Sequence, residues 1–179
     1  MANTLAEPIA EVELRRARPD EFEALGQLTV EAYAGLPDMP GPDQMPEYYA
    51  SLRDVAGRAA QPGVEVLVAV DSSGKLLGGV TFAGDMRYYG ADAASNVTEA
   101  AGIRMLAVGP EGRNRGLGRA LTAACIRRAR ELGRSEVVLH STEVMQLAKG
   151  LYGRMGFKRS PDLDFGPDGF GVLGFRLQL

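Results

Sequence analysis

The chain has 179 residues, with 20 Lys and Arg against 23 Asp and Glu and a net charge of −3. Its hydrophobic fraction of 45% and charged fraction of 24% exclude the disordered and fibrous classes. The charge balance argues against a nucleic-acid binder that works by phosphate neutralisation. A single cysteine and a single histidine argue against an intrachain disulfide and a histidine-based metal site.

Residues 1–10 read as a leader without the basic and apolar regions of a secretory signal. Glu11–Arg16 alternates, with Val12 and Leu14 on one face, and predicts a first strand. Pro19-Asp20 opens a helix whose apolar members are Phe22, Leu25, Leu28, Val30 and Tyr33, and Gly35-Leu36-Pro37 stops it. After a Pro-rich loop over 37–46, Tyr48, Tyr49, Leu52, Val55 and Ala56 predict a second helix. Val64–Val70 and Leu76–Ala83 form a hairpin around the turn Asp71–Gly74. Residues 84–98 are polar and rich in Gly and Ala, and read as a loop.

Glu99–Val108 is a strand broken by Gly109–Gly112. A helix follows over Gly116–Leu132, with Leu117, Ala120, Leu121, Ala124 and Cys125 on one stripe and Gly133 as its C′ residue. Cys125 on that stripe is a small core hydrophobe, and Arg127, Arg128 and Arg130 belong to the wet side. Ser135–His140 is a strand, and Ser141 or Thr142 is placed to cap a helix running to Arg154 with Val144, Leu147, Ala148, Leu151 and Met155 as its apolar face. Phe157–Arg159 and the period-two tail Leu173, Phe175, Leu177 and Leu179 give two further strands. The helical crossover between Glu99–Val108 and Ser135–His140 makes those strands parallel within a mixed α/β domain. The chain reads as one domain over 1–179; it has no run of 18 apolar residues to span a membrane and reads as cytoplasmic.

The sharpest chemistry lies in Arg113-Asn114-Arg115-Gly116-Leu117-Gly118-Arg119, which follows an apolar strand and opens a helix. The glycines let the backbone approach an anion, the first-turn N–H groups have no helical partner, and the arginines add charge beside them. A pyrophosphate suits such a site. No Lys-Ser/Thr follows, so it is not a P-loop, and Leu121 stands where the dinucleotide fingerprint needs glycine. Taken alone, the run also reads as a solvated basic turn.

This run, with Leu106-Ala107-Val108-Gly109-Pro110 before it, resembles the acyl-CoA motif of the GNAT superfamily of N-acetyltransferases. The later Ala148-Lys-Gly-Leu-Tyr152-Gly-Arg-Met-Gly-Phe157 is similar to the family's second motif, in the expected order. The resemblance is specific over residues 99–159. It implies a central, mostly antiparallel mixed sheet flanked by helices, whose two parallel strands splay apart to admit the pantetheine of acetyl-CoA, with coenzyme A as product. Carried over, Leu106, Ala107 and Val108 contact pantetheine through their backbones, and residues Arg113 to Arg119 hold the pyrophosphate. Met145, Ala148 and Tyr152, on one helical face, border the thiol end.

The resemblance gives Tyr152 the role of general acid, a phenol of pKa about 10 that protonates a thiolate of pKa about 8.5. The residues alone allow a core aromatic there. The family's common glutamate base falls at Gly102; Glu99, three residues earlier, is the candidate that remains, although a regular strand points it to the opposite face. Met145 stands in place of a common family asparagine. His140, alone at a strand end, is read as structural.

Tyr33, Met39, Met45, Tyr48 and Tyr49 around the Pro-rich loop are equally an acceptor pocket or helix packing, and Arg87, Tyr88 and Tyr89 are placed to reach the acceptor. The acceptor is a primary amine of a small molecule or a protein, with no nucleic acid or membrane as partner; a homodimer is left open. The mild acidity favours a cationic small molecule slightly. The alternative reading is an acyl-CoA-binding regulatory module with weak or no catalysis, which the missing glutamate at Gly102 allows.

Overall fold

A computed structural model describes residues 11–90, 96–166 and 171–179. The leader over 1–10 and part of the loop predicted over 84–98 lie outside the described residues. Seven strands form one sheet: β1 (Val12–Arg16), β2 (Val64–Asp71), β3 (Leu76–Ala83), β4 (Ala100–Val108), β5 (Glu136–Thr142), β6 (Lys158–Arg159) and β7 (Val172–Gln178). Their order is β1-β2-β3-β4-β5-β7-β6. Every neighbouring pair is antiparallel except β4 and β5, which are parallel. No helix among the described residues is long and apolar enough to cross a membrane.

The helices are α1 (Phe22–Ala34), α2 (Pro46–Arg53), α3 (Val55–Ala59), α4 (Leu117–Glu131) and α5 (Gln146–Arg154). The predicted second helix is therefore two. It breaks at Asp54, whose ψ of 68° is not helical and whose side chain accepts from Gly57 N–H to start α3. α1 crosses α2 at Gly26, where any side chain would run into the Arg53 carbonyl.

Strand alternation divides the core between the two faces of the sheet. In β2, Val66, Val68 and Val70 pack with Leu25 of α1 and Val55 of α3. Ala69 and its half-buried neighbour Leu67 pack with Leu117, Leu121, Cys125 and Ala129 of α4 on the other side. The latter core also takes in Tyr152 of α5, Phe157 and Phe175. Cys125 is fully buried there.

Two local expectations at α5 are corrected. β5 continues through Ser141 and Thr142, so neither caps the helix; its N-cap is Met145, outside helical geometry at φ −86°, ψ 60°. Leu147 belongs to no apolar face, because it is 90% exposed. The described part of the 84–98 segment is anchored: Asp85 caps a 3-10 turn over Met86–Tyr88, and Met86 and Tyr89 are buried against Ala100 and Val138.

Candidate functional site

β4 carries the main irregularity of the sheet. Gly79 pairs with Ala107 and Thr81 with Arg104, so Met105 and Leu106 together oppose Val80. Met105 has φ 53°, the left-handed conformation expected at a bulge. The extra residue reverses the strand's parity. Ala101 and Ile103 face α4 before the bulge, and Leu106 and Val108 face it afterwards. Arg104 and Met105 consequently share the opposite side.

Pairing with β5 ends at the bulge. The parallel ladder runs from Ala100↔Glu136 to Ile103↔Leu139 and no further, while β5 continues to Thr142 against β7. The two strands diverge there. Gly109 N–H donates to the Leu77 carbonyl at 2.9 Å, so Ala107, two residues back, also points its N–H and C=O towards β3. Leu106 and Val108 direct theirs to the open edge. Of the three residues predicted to offer backbone to a ligand, Ala107 is thus the one whose groups the sheet already uses.

The open edge leads into the basic loop. A 3-10 turn over Pro110–Gly112 is followed by Asn114 at φ 59° and Gly116 at φ 72°. No side chain caps α4. The N–H groups of Gly116, Leu117, Gly118 and Arg119 have no backbone partner among the described residues, as expected for an uncapped helix start. Arg113, Asn114 and Arg119 are exposed, and Arg115 is half-buried. Gly118 lies against Leu151 of α5, where an added Cβ would sit 3.4 Å from Cδ2.

Across the gap, a cavity of about 380 Å³ opens between α1–α2 and the ends of β4 and β5. Tyr33, Met45 and Tyr48 line it together with Tyr89, Arg104, Met105, His140 and Met145. Ser141 and Thr142 also line it, and their hydroxyls are buried without a hydrogen-bond partner among the described residues. A separate cavity of about 680 Å³ lies at the β1 edge, where Arg15 and Glu21 pair with each other.

Tyr152 is 6% exposed and stacks edge-on against Phe157 at 5.8 Å. Burial pushes its phenol up, and the Tyr89 phenol adds to this. Tyr152 in turn raises Tyr33, so the three phenols lie within electrostatic reach of one another across the gap. A phenol held neutral this way is protonated at neutral pH but is a weaker acid than a free one.

The predicted site residues thus divide. Met145 lines the cavity at the splay, while Tyr152 sits in the α4-side core that Leu106 and Val108 of β4 also join. Ala148 packs beside them, half-buried. Glu99 does not join them: it is exposed in the turn before β4, at the closed end of the parallel ladder, where its carbonyl accepts from Ser135 N–H at 3.1 Å. The bulge that could have turned its side of the strand lies downstream of it, at Met105.

Space at Gly102 is taken by another side chain. A Cβ there would meet the Tyr89 ring, at 2.5 Å from Cε2, and the Met86 sulfur at 3.1 Å. Tyr89 donates its hydroxyl to His140 Nδ1 at 2.8 Å, and His140 Nε2–H donates to the Leu163 carbonyl at 2.8 Å. Both imidazole nitrogens are therefore engaged, with the proton on Nε2. Burial, the largest influence, and Arg104 lower the His140 pKa; the bond to Leu163 and Asp164 act in the other direction.

Among the other predicted pocket residues, Tyr49 turns its hydroxyl to the Pro40 carbonyl at 2.8 Å, and Met39 is buried. Arg87 pairs with Asp85 at 2.5 Å, away from the cavity. Sequence reasoning passed over Arg104. Its signal was present: a guanidinium in the middle of the apolar run Ile103–Val108.

Comparison with known proteins agrees with this fold. The family model "Acetyltransferase (GNAT) family" matches residues 23–157, and the chain belongs to that family. GNAT acetyltransferases use acetyl-CoA as co-substrate. The mycothiol acetyltransferase of Arthrobacter sp. (strain FB24) is 34% identical over 119 residues, 64% of this chain and 35% of that protein. The chain therefore spans about a third of that relative's length.

Among solved structures, a GCN5-related N-acetyltransferase from Kribbella flavida superposes with a TM-score of 0.67 at 22% identity, covering 94% of this chain and 98% of that one. A GNAT-family acetyltransferase from Staphylococcus aureus gives 0.68 at 13% identity, covering 94% and 99%. A Salmonella typhimurium protein solved with acetyl-CoA as its cofactor gives 0.64 at 18% identity, covering 94% of each chain. At these identities the structural likeness concerns the fold.

Proposed function

We propose that the protein transfers the acetyl group of acetyl-CoA to a primary amine by direct attack. The observation that carries this reading is the end of the parallel ladder at Ile103↔Leu139, which opens the strand edge between an uncapped helix start and a buried phenol. The residues present fit the co-substrate. Free N–H groups from Gly116 to Arg119, flanked by Arg113, Asn114 and Arg115, suit a pyrophosphate. The outward backbone groups of Leu106 and Val108 and the unpartnered Ser141 and Thr142 hydroxyls suit the amides of a pantetheine arm.

Bound acetyl-CoA supplies an activated acyl carbon and a thiolate leaving group. In the reaction the amine nitrogen forms the new C–N bond and passes one proton to water, while the C–S bond breaks and the sulfur takes a proton from Tyr152, which solvent then restores. Val108 N–H, on the open edge, is placed to polarise the acyl oxygen. Tyr152 Oη–H, held neutral by burial, protonates the sulfur. Glu99, in the turn before β4 at the closed end of the ladder, lies too far from the gap to take the amine proton directly.

Thiol release from acetyl-CoA over a panel of primary amines tests the reading. Tyr152→Phe should lower kcat about 100-fold or more while acetyl-CoA binding, followed by calorimetry, persists. Binding without thiol release for any amine would overturn acyl transfer and leave an acyl-CoA-binding module.

A further inference from the structure

Arg104 is the one charged side chain among the described residues lining the 380 Å³ cavity. Regular alternation puts it there, opposite Ala101 and Ile103, and the bulge at Met105 turns the next residue to the same side. Its guanidinium lies over the Tyr89 ring, 5.5 Å from the centroid. Gly90, at φ 85°, leaves room for it; a side chain at 90 would collide with the guanidinium. The neighbouring cation Arg58 is already committed. Its Nε donates to Thr81 Oγ1 at 3.1 Å and its Nη1 to the carbonyls of Ser51, Leu52 and Asp54.

A cation half out of water at a cavity wall costs desolvation unless something pairs with it. The described wall offers hydroxyls, an imidazole, three methionines and aromatic rings, and no carboxylate. A polyamine, protonated at several nitrogens, would be repelled. A planar carboxylate matches the two-pronged geometry of a guanidinium. The remaining wall, with Tyr33, Tyr48, Met45, Met105, Phe165 and Val172, suits an apolar side chain, and the volume is at the small end of ligand pockets.

We propose that the acceptor is a small amino acid with an apolar side chain, whose carboxylate is held by Arg104 while its amine faces the splay. The proposal rests on the acyl-transfer reading above and deepens it. It also bears on the absent glutamate. A fixed cation near the amine disfavours the ammonium form and so raises the share of neutral nucleophile. That lessens the need for a carboxylate base at Gly102.

The test compares acceptors that differ only by the carboxylate: phenylalanine against phenethylamine, and methionine against 3-(methylthio)propylamine, with spermidine as polycation. The wild type should favour each acid in kcat/KM by about 10- to 100-fold, the range of a charge-assisted bidentate contact. Arg104→Met should bring each ratio close to one, mainly through KM, and Arg104→Lys should retain part of the preference. Retained acetyl-CoA binding in Arg104→Met shows that the fold persists. Equal or inverted ratios in the wild type, or ratios unchanged by Arg104→Met, overturn the proposal.

A second measurement is independent of turnover: calorimetry of N-acetylphenylalanine and N-acetylphenethylamine in the presence of coenzyme A. Tighter binding of the acid, lost in Arg104→Met, upholds the carboxylate subsite even if no acetyl transfer is found. Turnover of the amines without any preference for the acids upholds acyl transfer and sinks the subsite.

Discussion

At Gly102 and Tyr89 two residues compete for one space. The Tyr89 ring fills the volume into which a side chain at 102 would project, and its hydroxyl is tied to His140. Introducing the family's carboxylate by Gly102→Glu should therefore destabilise the fold by about 2–3 kcal/mol, through overpacking and an unpaired buried charge. Adding Tyr89→Ala should recover most of the loss. Chemical denaturation of the two single variants and the double variant measures the coupling, and additive losses would show that the two positions do not share space. The absence of glutamate at 102 was legible from the sequence; its replacement by an aromatic from 13 residues upstream was not, because that contact is made through the fold. Arg104 was legible in principle. Its charge stands out in an apolar strand, but the residues that share its side after it depend on a bulge that no residue in Gly102–Val108 announces: Met105 takes the left-handed conformation without being Gly, Asn or Asp.

At the scale of elements, periodicity carried most of the fold. The seven strands and the parallel relation of β4 and β5 followed from alternation and a helical crossover, because both depend on local spacing and chain length. Where prediction departed, a tertiary constraint had overridden local preference. β5 extends through Ser141 and Thr142 since β7 pairs with them as far as Val172, which displaces the start of α5 to Gln146. The start of α4 is the element most exposed to a backbone change. Gly116 is left-handed at φ 72° with no atom within 4 Å of an added Cβ, so Gly116→Ala meets no clash and only conformational strain. We expect a loss of about 1 kcal/mol, read as a melting shift of roughly 2–4 °C at this chain length. Acetyl-CoA affinity should fall as well, since the strain acts where the free N–H groups are aimed. An unchanged melting temperature would mean the loop takes a right-handed form at 116.

The whole molecule is acidic at −3, yet the cavity beside the splay is lined by a cation, so net charge does not describe the field at that cavity. It averages over surfaces the acceptor does not meet. The single histidine ties stability to pH. His140 is neutral and half-buried, and its folded pKa lies below the ordinary value of 6.5. Its contribution is then fully present above 6.5 and is lost as pH falls through the folded value. Thermal melts from pH 8 to 5 should show a falling melting temperature below about pH 6.5, flattened in His140→Gln; an equal slope in that variant would assign the dependence to other groups.

The splay pierces the sheet. α4 and its basic loop stand on one face, and the cavity under α1 and α2 opens on the other. Two reactants arriving from opposite sides do not block each other's entry, and neither has to depart before the other arrives. Under the proposed reaction such an enzyme should hold both at once, and its double-reciprocal plots should intersect where those of a ping-pong enzyme run parallel.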